Sequence, residues 1–399
     1  MLLVVLKLLL EIGSNPHRSI QKLAQRYGPD LMLLYVGTAP LVLVSSAEAA
    51  REIMKINDLE YFSNRPKSVI FQKLLCNYKD FAMASYGEYW RQVKSICVIN
   101  LLNNKSVSSF SLVTMGRKYS TSAVGEGGNK IMFKELLWEF NELLSRLYIG
   151  DYITWLSWLS HVNGFEAKLD KVAKQFDDIL DRVIQVRVDH RSKTSGSSGH
   201  ANHVDPNKDN QMDFLDVLLE IQEGKCSGLP IDRVNIKAII LDMFGGGTDS
   251  TYSVLEWTMA ELLRHPKVMN KLHSEVRGLA GNKENITEDD LIEMNYLKAV
   301  IRETLRLHPS FPILSRISNQ DGNDFRLIPF GAGRRVCPGI QFAMAVNEIA
   351  IANLVHKFDW SLPGGASGDD LDMTETTGMP IHPKHPLKTV ATPFLANRA

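Results

Sequence analysis

The chain of 399 residues has no excess charge: 45 Lys and Arg balance 45 Asp and Glu. Without a basic surplus it lacks the electrostatic footprint of a nucleic-acid binder. Cysteine is scarce. Cys76, Cys97, Cys226 and Cys337 lie far apart, with no CxxC pair. That excludes a disulfide framework and suits a reducing compartment. No apolar run reaches the ~20 residues that a spanning helix needs. The best attempt, MLLVVLKLLL at the N-terminus, is interrupted by Lys7 and lacks the small-residue cleavage pattern of a signal peptide. It reads as a first buried or interfacial helix, or the stump of something longer. No internal repeat is visible. What the chain does have is 44% apolar residues, ample for a large core.

Local patterns place the elements. Residues 16–28 predict a short amphipathic helix, and the two apolar runs of 31–44 around Gly37 to Pro40 predict a β-hairpin. Ser46 is placed to cap a helix running to about Asn57. Helices are expected over 86–102, 131–147 and 165–191. In the last, Leu169, Val172, Phe176, Ile179, Leu180 and Val183 share one face. Residues 190–210 hold almost nothing apolar and read as a surface loop, so His200 and His203 there are solvated side chains rather than a metal site. Further helices are expected over 213–223, 231–264, 267–279 and 288–307, the last capped by Thr287. Weak strand signals lie near 371–395. The expected fold is mainly α with a small β region, in one domain over 1–399.

Three features carry chemistry. The run PFGAGRRVCPG, Pro329 to Gly339, sets Cys337 in a glycine- and proline-rich loop behind two arginines. A metal-binding thiolate needs such a frame. Glycines fold the backbone tightly under a flat ligand, peptide N–H groups donate to sulfur, and Arg334 or Arg335 can pair with a carboxylate. The long helix carries Gly245, Gly246 and Gly247 at its centre, each costing roughly 1 kcal/mol relative to alanine. Two explanations stand: a glycine patch packed on another helix, or a flat ligand approaching the backbone beside Asp249, Ser250 and Thr251. Glu303 and Arg306 lie three apart on one helical face, a spacing common to surface ion pairs.

Phe330, Gly333, Arg335, Cys337 and Gly339 match the cytochrome P450 haem-binding signature F-x-x-G-x-R-x-C-x-G. The resemblance extends to Gly246–Thr251 (A/G-G-x-D/E-T-T/S), to E-x-x-R at Glu303–Arg306, and to Trp90 and Lys94 of W-R-x-x-R/K. It covers nearly the whole chain, and its texture is similar to plant microsomal A-type members of the 71 family. It implies the P450 fold and haem b with Cys337 as axial iron ligand. Trp90, Lys94, Arg316 and Arg335 would serve the haem propionates. Asp249, Ser250 and Thr251 would manage dioxygen and protons, with Ser250 where threonine is usual. Glu303 and Arg306 would form a buried pair behind the haem loop. The family's substrate-contact regions fall on Val69, Ile70, Ile240, Phe244, Gly245, Phe311, Ile313, Thr377 and Met379.

The activity implied is monooxygenation of a small lipophilic plant metabolite. O2 is the oxidant, and NADPH supplies electrons through NADPH-cytochrome P450 reductase at the cytosolic face of the endoplasmic reticulum membrane. Three departures are expected relative to the family. They are the membrane anchor with its hinge, a segment between Val113 and Thr114, and a segment within 316–325 that includes the third partner of the Glu303–Arg306 pair. A buried pair missing a partner costs an appreciable share of a domain's net stability. Two other readings therefore stand: a haem-deficient inactive remnant or binding protein, and a reductase-independent haem-thiolate isomerase or dehydratase. The Asp249–Ser250 pair argues against the second.

Overall fold

Helices start where the sequence supplies caps and stop where it supplies breakers. The computed structural model describes residues 16–36, 39–56, 62–102, 133–146, 148–195, 214–224, 231–314, 317–318, 328–376 and 380–394. In chain order the principal elements are α1 (Pro16–Tyr27), β1 (Leu31–Val36), β2 (Ala39–Val44), α2 (Ala47–Arg51), β3 (Phe62–Asn64), α3 (Val69–Leu74), α4 (Glu88–Ile96) and α5 (Phe133–Leu144). They continue with α6 (Phe165–Ser195), α7 (Phe214–Gln222), α8 (Arg233–Arg264), α9 (Pro266–Ala280), α10 (Asn295–Leu307), β4 (Ile317–Ser318), α11 (Ile340–Lys357), β5 (Phe358–Ser361) and β6 (Val390–Pro393). Residues 1–10 lie outside the described residues, as do 196–213 and with them His200 and His203. Among the described residues no helix is long and apolar enough to cross a membrane.

The chain divides into two compact units, one of residues 1–63 and 246–399, the other of 64–245. The division falls inside α8, between Gly245 and Gly246. In the first unit, the core joins the second half of α8 to α9, α10 and α11 through residues such as Leu262, Leu272, Ile301 and Ile351. On α9 the buried set is Met269, Leu272, Val276 and Ala280, a stripe at helical spacing. Pro266 occupies the first turn of α9, where its missing N–H is harmless. Gly281, at φ +56°, ends the helix. The hairpin β1–β2 is antiparallel, pairing Leu31 with Val44 through to Val36 with Ala39. A further pairing joins β5 and β6. Of the strand signals near 371–395, β6 is the strand that forms, and its partner β5 had no sequence signal.

In the second unit, α3, α4, α5, α6, α7 and the first half of α8 enclose a core that includes Ile70, Val93, Phe140, Leu169, Leu218 and Ile239. Ser68 caps α3, its hydroxyl accepting from the Ile70 amide at 3.2 Å.

Three expectations need correction. The stripe on α6 turns from Leu180 to Ile184, which is 1% exposed, while Val183 stays half-buried. A strict 3.6-residue period would keep Val183 nearer than Ile184 to the face of Leu169, so the core packed around Ile184, and not the helical period, decides which of the two is buried. Residues 190–195 continue α6 instead of opening a loop. The end of α6 is anchored: Arg187 Nε donates to Asp216 of α7 at 2.8 Å, and Arg191 to the Asp216 carbonyl at 3.4 Å. Residues 288–307 are not one helix. A 3₁₀ turn over Asp289–Ile292 precedes α10. Glu275 accepts the Tyr296 and Leu297 amides at 2.8 and 2.9 Å, so a carboxylate from α9 satisfies the first-turn donors of α10.

Candidate functional site

The Cys337 loop is built from its own backbone. Gly331 and Gly333 sit at φ +70° and +68°, a region that a side chain resists. Three bonds close the turns: Gly331 N–H to Ile328 O at 2.9 Å, Val336 N–H to Gly333 O at 3.0 Å, and Cys337 N–H to Phe330 O at 3.0 Å. Ala332 is buried against Met54, Ala47, Ala50, Ile53 and Leu314. Phe330 packs on the core of the first unit. Gly333 and Arg335 are buried, and Arg334 is exposed. Arg335 Nε donates to the Ser63 carbonyl at 2.8 Å, tying the loop to β3.

Cys337 is half-buried. Burial pushes its thiol up, and the Gly339 backbone N–H pulls it partly back. Gly339 is the N-cap of α11, and a Cβ there would lie 3.8 Å from the Cys337 sulfur. A half-buried, unpaired thiol with a peptide donor beside it is a residue that would hold a haem iron as a thiolate. Two other cysteines, Cys76 and Cys97, differ, and Cys226 lies outside the described residues. Burial raises Cys76 to about 12 and Cys97 further still, which disfavours the thiolate at both.

The glycine-rich centre of α8 is unbroken helix. A Cβ on Gly246 or Gly247 would meet nothing within 4 Å among the described residues, so neither glycine serves a packed neighbour. The following hydroxyls turn back on the helix. Ser250 Oγ donates to Gly246 O at 2.5 Å, and Thr251 Oγ1 to Gly247 O at 2.7 Å. Asp249 Oδ1 lies 3.3 Å from His382 Nε2. Nothing in the sequence reading singled out His382. The spacing of Asp249, Tyr252 and Glu256 along one face of α8 was the available signal that a partner covers that face.

The Glu303–Arg306 pair is the main correction. It forms in bidentate geometry, at 2.8 and 2.7 Å, but its side chains are 56% and 54% exposed instead of buried. In water such a pair is screened, and it does not anchor a core.

On α4, Trp90 is 3% exposed and its indole N–H donates to Phe81 O at 2.9 Å. Lys94 Nζ stands 5.0 Å over the Trp90 ring. The two thus share a face, as the spacing predicted, with the indole N–H directed to backbone. Among the pocket residues, Ile70 and Ile240 belong to the core of the second unit. Val69 lines an open cavity of about 780 Å³ with Lys67, Tyr78, Tyr86, Glu88 and Asp151, a more polar lining than expected. Phe244 and Phe311 are 39% and 37% exposed, and Gly245 and Ile313 are half-buried. Arg316, Thr377 and Met379 lie outside the described residues.

The family description Cytochrome P450 matches residues 1–119, 120–323 and 316–388, in three stretches. Cytochrome P450 736A117 of Prunus mume is 53% identical, over 96% of this chain and 88% of that protein. Its alignment spans 469 positions against the 399 residues present here, so at least 70 positions (469 less 399) have no counterpart in this chain. Cytochrome P450 71A25 of Arabidopsis thaliana is 38% identical, over 96% and 91% of the two chains. A Strychnos protein named norfluorocurarine oxidase is 40% identical, over 94% and 88%. A solved zebra fish cytochrome P450 with progesterone superposes at a TM-score of 0.66 with 20% identity, covering 95% of this chain and 99% of that one, which extends the likeness to the fold. With the Cys337 loop and these matches together, the chain belongs to the cytochrome P450 family, haem-thiolate monooxygenases that use O2 and a redox partner.

Proposed function

We propose that this chain hydroxylates a small lipophilic plant metabolite, with electrons from NADPH-cytochrome P450 reductase, at the endoplasmic reticulum membrane. The observation that carries the reading is the Cys337 loop, whose half-buried thiol has the Gly339 N–H beside it. When bound, haem supplies activation of dioxygen against an electron-rich thiolate. The chain's own residues do the rest. Cys337 would hold the haem iron as its thiolate, and the Gly339 N–H beside it would temper the sulfur's charge. Arg335 fixes the loop to the Ser63 carbonyl. Asp249 holds a proton-exchanging carboxylate beside the Ser250 and Thr251 hydroxyls. Phe311 and Ile313 contribute apolar surface that excludes water and favours a lipophilic substrate. The norfluorocurarine oxidase relative supports a specialised metabolite, an alkaloid class among the options.

Two segments of the family pattern are missing inside the chain, near 113–114 and within 316–325. The three-stretch match and the unmatched positions in the 736A117 alignment support this. The exposure of Glu303–Arg306 supports it too, since its expected third partner belongs to the second segment. The reduced, CO-bound spectrum of the purified full chain is the test. A thiolate-haem band at stoichiometric haem content is the expected result. Protein that folds and takes up no haem would refute the reading and leave the inactive remnant in its place.

A further inference from the structure

On α8, Asp249, Tyr252 and Glu256 fall at i, i+3 and i+7, which aligns two carboxylates and a phenol on one face. A single imidazole spans them. His382 Nε2 is 3.3 Å from Asp249 Oδ1, and its Nδ1 is 4.0 Å from Glu256 Oε2. The Tyr252 ring lies against the imidazole, centroids 5.4 Å apart. His382 Nδ1 is buried and has no hydrogen-bond partner among the described residues. A buried, unpaired ring nitrogen is costly unless it serves something, and a Glu256 carboxylate oxygen stands 4.0 Å away.

The backbone around His382 is held from both sides. The Ile381 carbonyl accepts from Ser253 Oγ at 2.6 Å and from Trp257 Nε1 at 3.1 Å. The Ile381 amide donates to Ser310 O at 3.0 Å. The His382 amide donates to Thr376 Oγ1 at 3.0 Å, and its carbonyl accepts the Thr376 amide at 2.8 Å. Glu256 is itself fixed, with Oε1 accepting the Leu387 amide at 3.0 Å. An imidazole on so rigid a mount has little freedom to leave Asp249.

We infer that His382 is a positioning residue for Asp249, holding that carboxylate in place and linking it to Glu256. This rests on the proton-handling role proposed above for Asp249. Among the described residues, the titratable groups seen against the His382 ring are Asp249, Tyr252 and Glu256 from α8, and the neighbouring backbone is held by the uncharged Ser310 and Thr376. Burial and the Glu256 carboxylate push the Tyr252 phenol up to about 12, so it stays neutral beside the imidazole.

Two measurements on the full chain test this. In the first, NADPH- and reductase-supported O2 consumption is compared for H382F, H382Q and D249N, with the CO-bound spectrum as control for intact haem. D249N is expected to slow consumption about 10- to 100-fold, in the range of a lost proton-transfer group. H382F is expected to fall with D249N and show the same raised solvent isotope effect. H382Q keeps a donor toward Asp249 and is expected to stay near wild type. If D249N is slow while H382F keeps wild-type rate and isotope effect, the inference is overturned. The second measurement is ¹⁵N NMR of histidine-labelled protein, assigned with H382Q. The Nε2 resonance of His382 should move in D249N, and the Nδ1 resonance in E256Q. If D249N leaves the rate unchanged, the role given to Asp249 fails; an unmoved Nε2 resonance in D249N sinks the His382 inference whatever the rates.

Discussion

Two motifs of this chain, read from the sequence with the same kind of argument, have opposite fates. The loop from Pro329 to Gly339 is locked: its glycines take left-handed turns, its arginine is buried, and its cysteine amide is bonded within the loop. The E-x-x-R pair on α10 forms with good geometry yet stands in solvent. The first motif closes its turns with bonds of its own backbone and is also covered by neighbours, among them the Ser63 carbonyl and Met54. The second needs neighbours from elsewhere to cover it. Hydrogen-bond geometry alone therefore says little about how much a motif contributes, because burial sets the worth of a charge pair.

This contrast can be broken or sharpened by substitution. The largest effect is expected from Cys337→Ser, which should abolish the thiolate-haem band of the reduced, CO-bound protein while the far-UV circular dichroism stays helical. An unchanged band would remove Cys337 as ligand. Next is Arg335→Ala, which deletes a buried charged donor and leaves the Ser63 carbonyl unmet. It should cost about 2–3 kcal/mol, read from the urea midpoint at constant m-value. Gly333→Ala comes third: a side chain at φ +68° should cost about 1–2 kcal/mol. A neutral effect there would mean that the loop relaxes more freely than its bonds suggest.

The smallest effect is expected from Glu303→Gln, whose denaturation midpoint at pH 7 should coincide with wild type within error. A loss as large as that of Arg335→Ala would show the pair to be covered after all. Its pH dependence has a definite sign. Arg306 holds the Glu303 carboxyl below its ordinary range. The pair's contribution is therefore complete above the unfolded glutamate value and lost as pH falls through the lower folded value. Glu303→Gln should flatten only that acidic limb of the stability curve.

Much of the helix pattern was legible from local signals. Pro266, Gly281 and Ser46 mark ends because each acts through its own backbone or first-turn contacts. The Cys337 loop was legible for the same reason. Less legible were features set by distant groups. Glu275 decides where α10 begins, and Asp216 decides that α6 continues past residue 190. Neither leaves a trace in the local sequence. Trp90 shows the intermediate case. Its place on one face with Lys94 follows from helical spacing, whereas its burial and the choice of Phe81 as acceptor do not.

By itself, the sequence determined the chemistry that the chain is equipped for: a lone cysteine in a glycine-turned loop, and an acid with hydroxyls after three glycines on a long helix. Those signals survive because residue type and short spacing encode them. The tertiary structure alone decided which charges are covered. It left Glu303 and Arg306 in solvent, buried Arg335 against Ser63, and laid His382 over Asp249 from 133 residues away in the chain (382 less 249). Burial is a property of what the rest of the chain brings into place, so no window of sequence contains it.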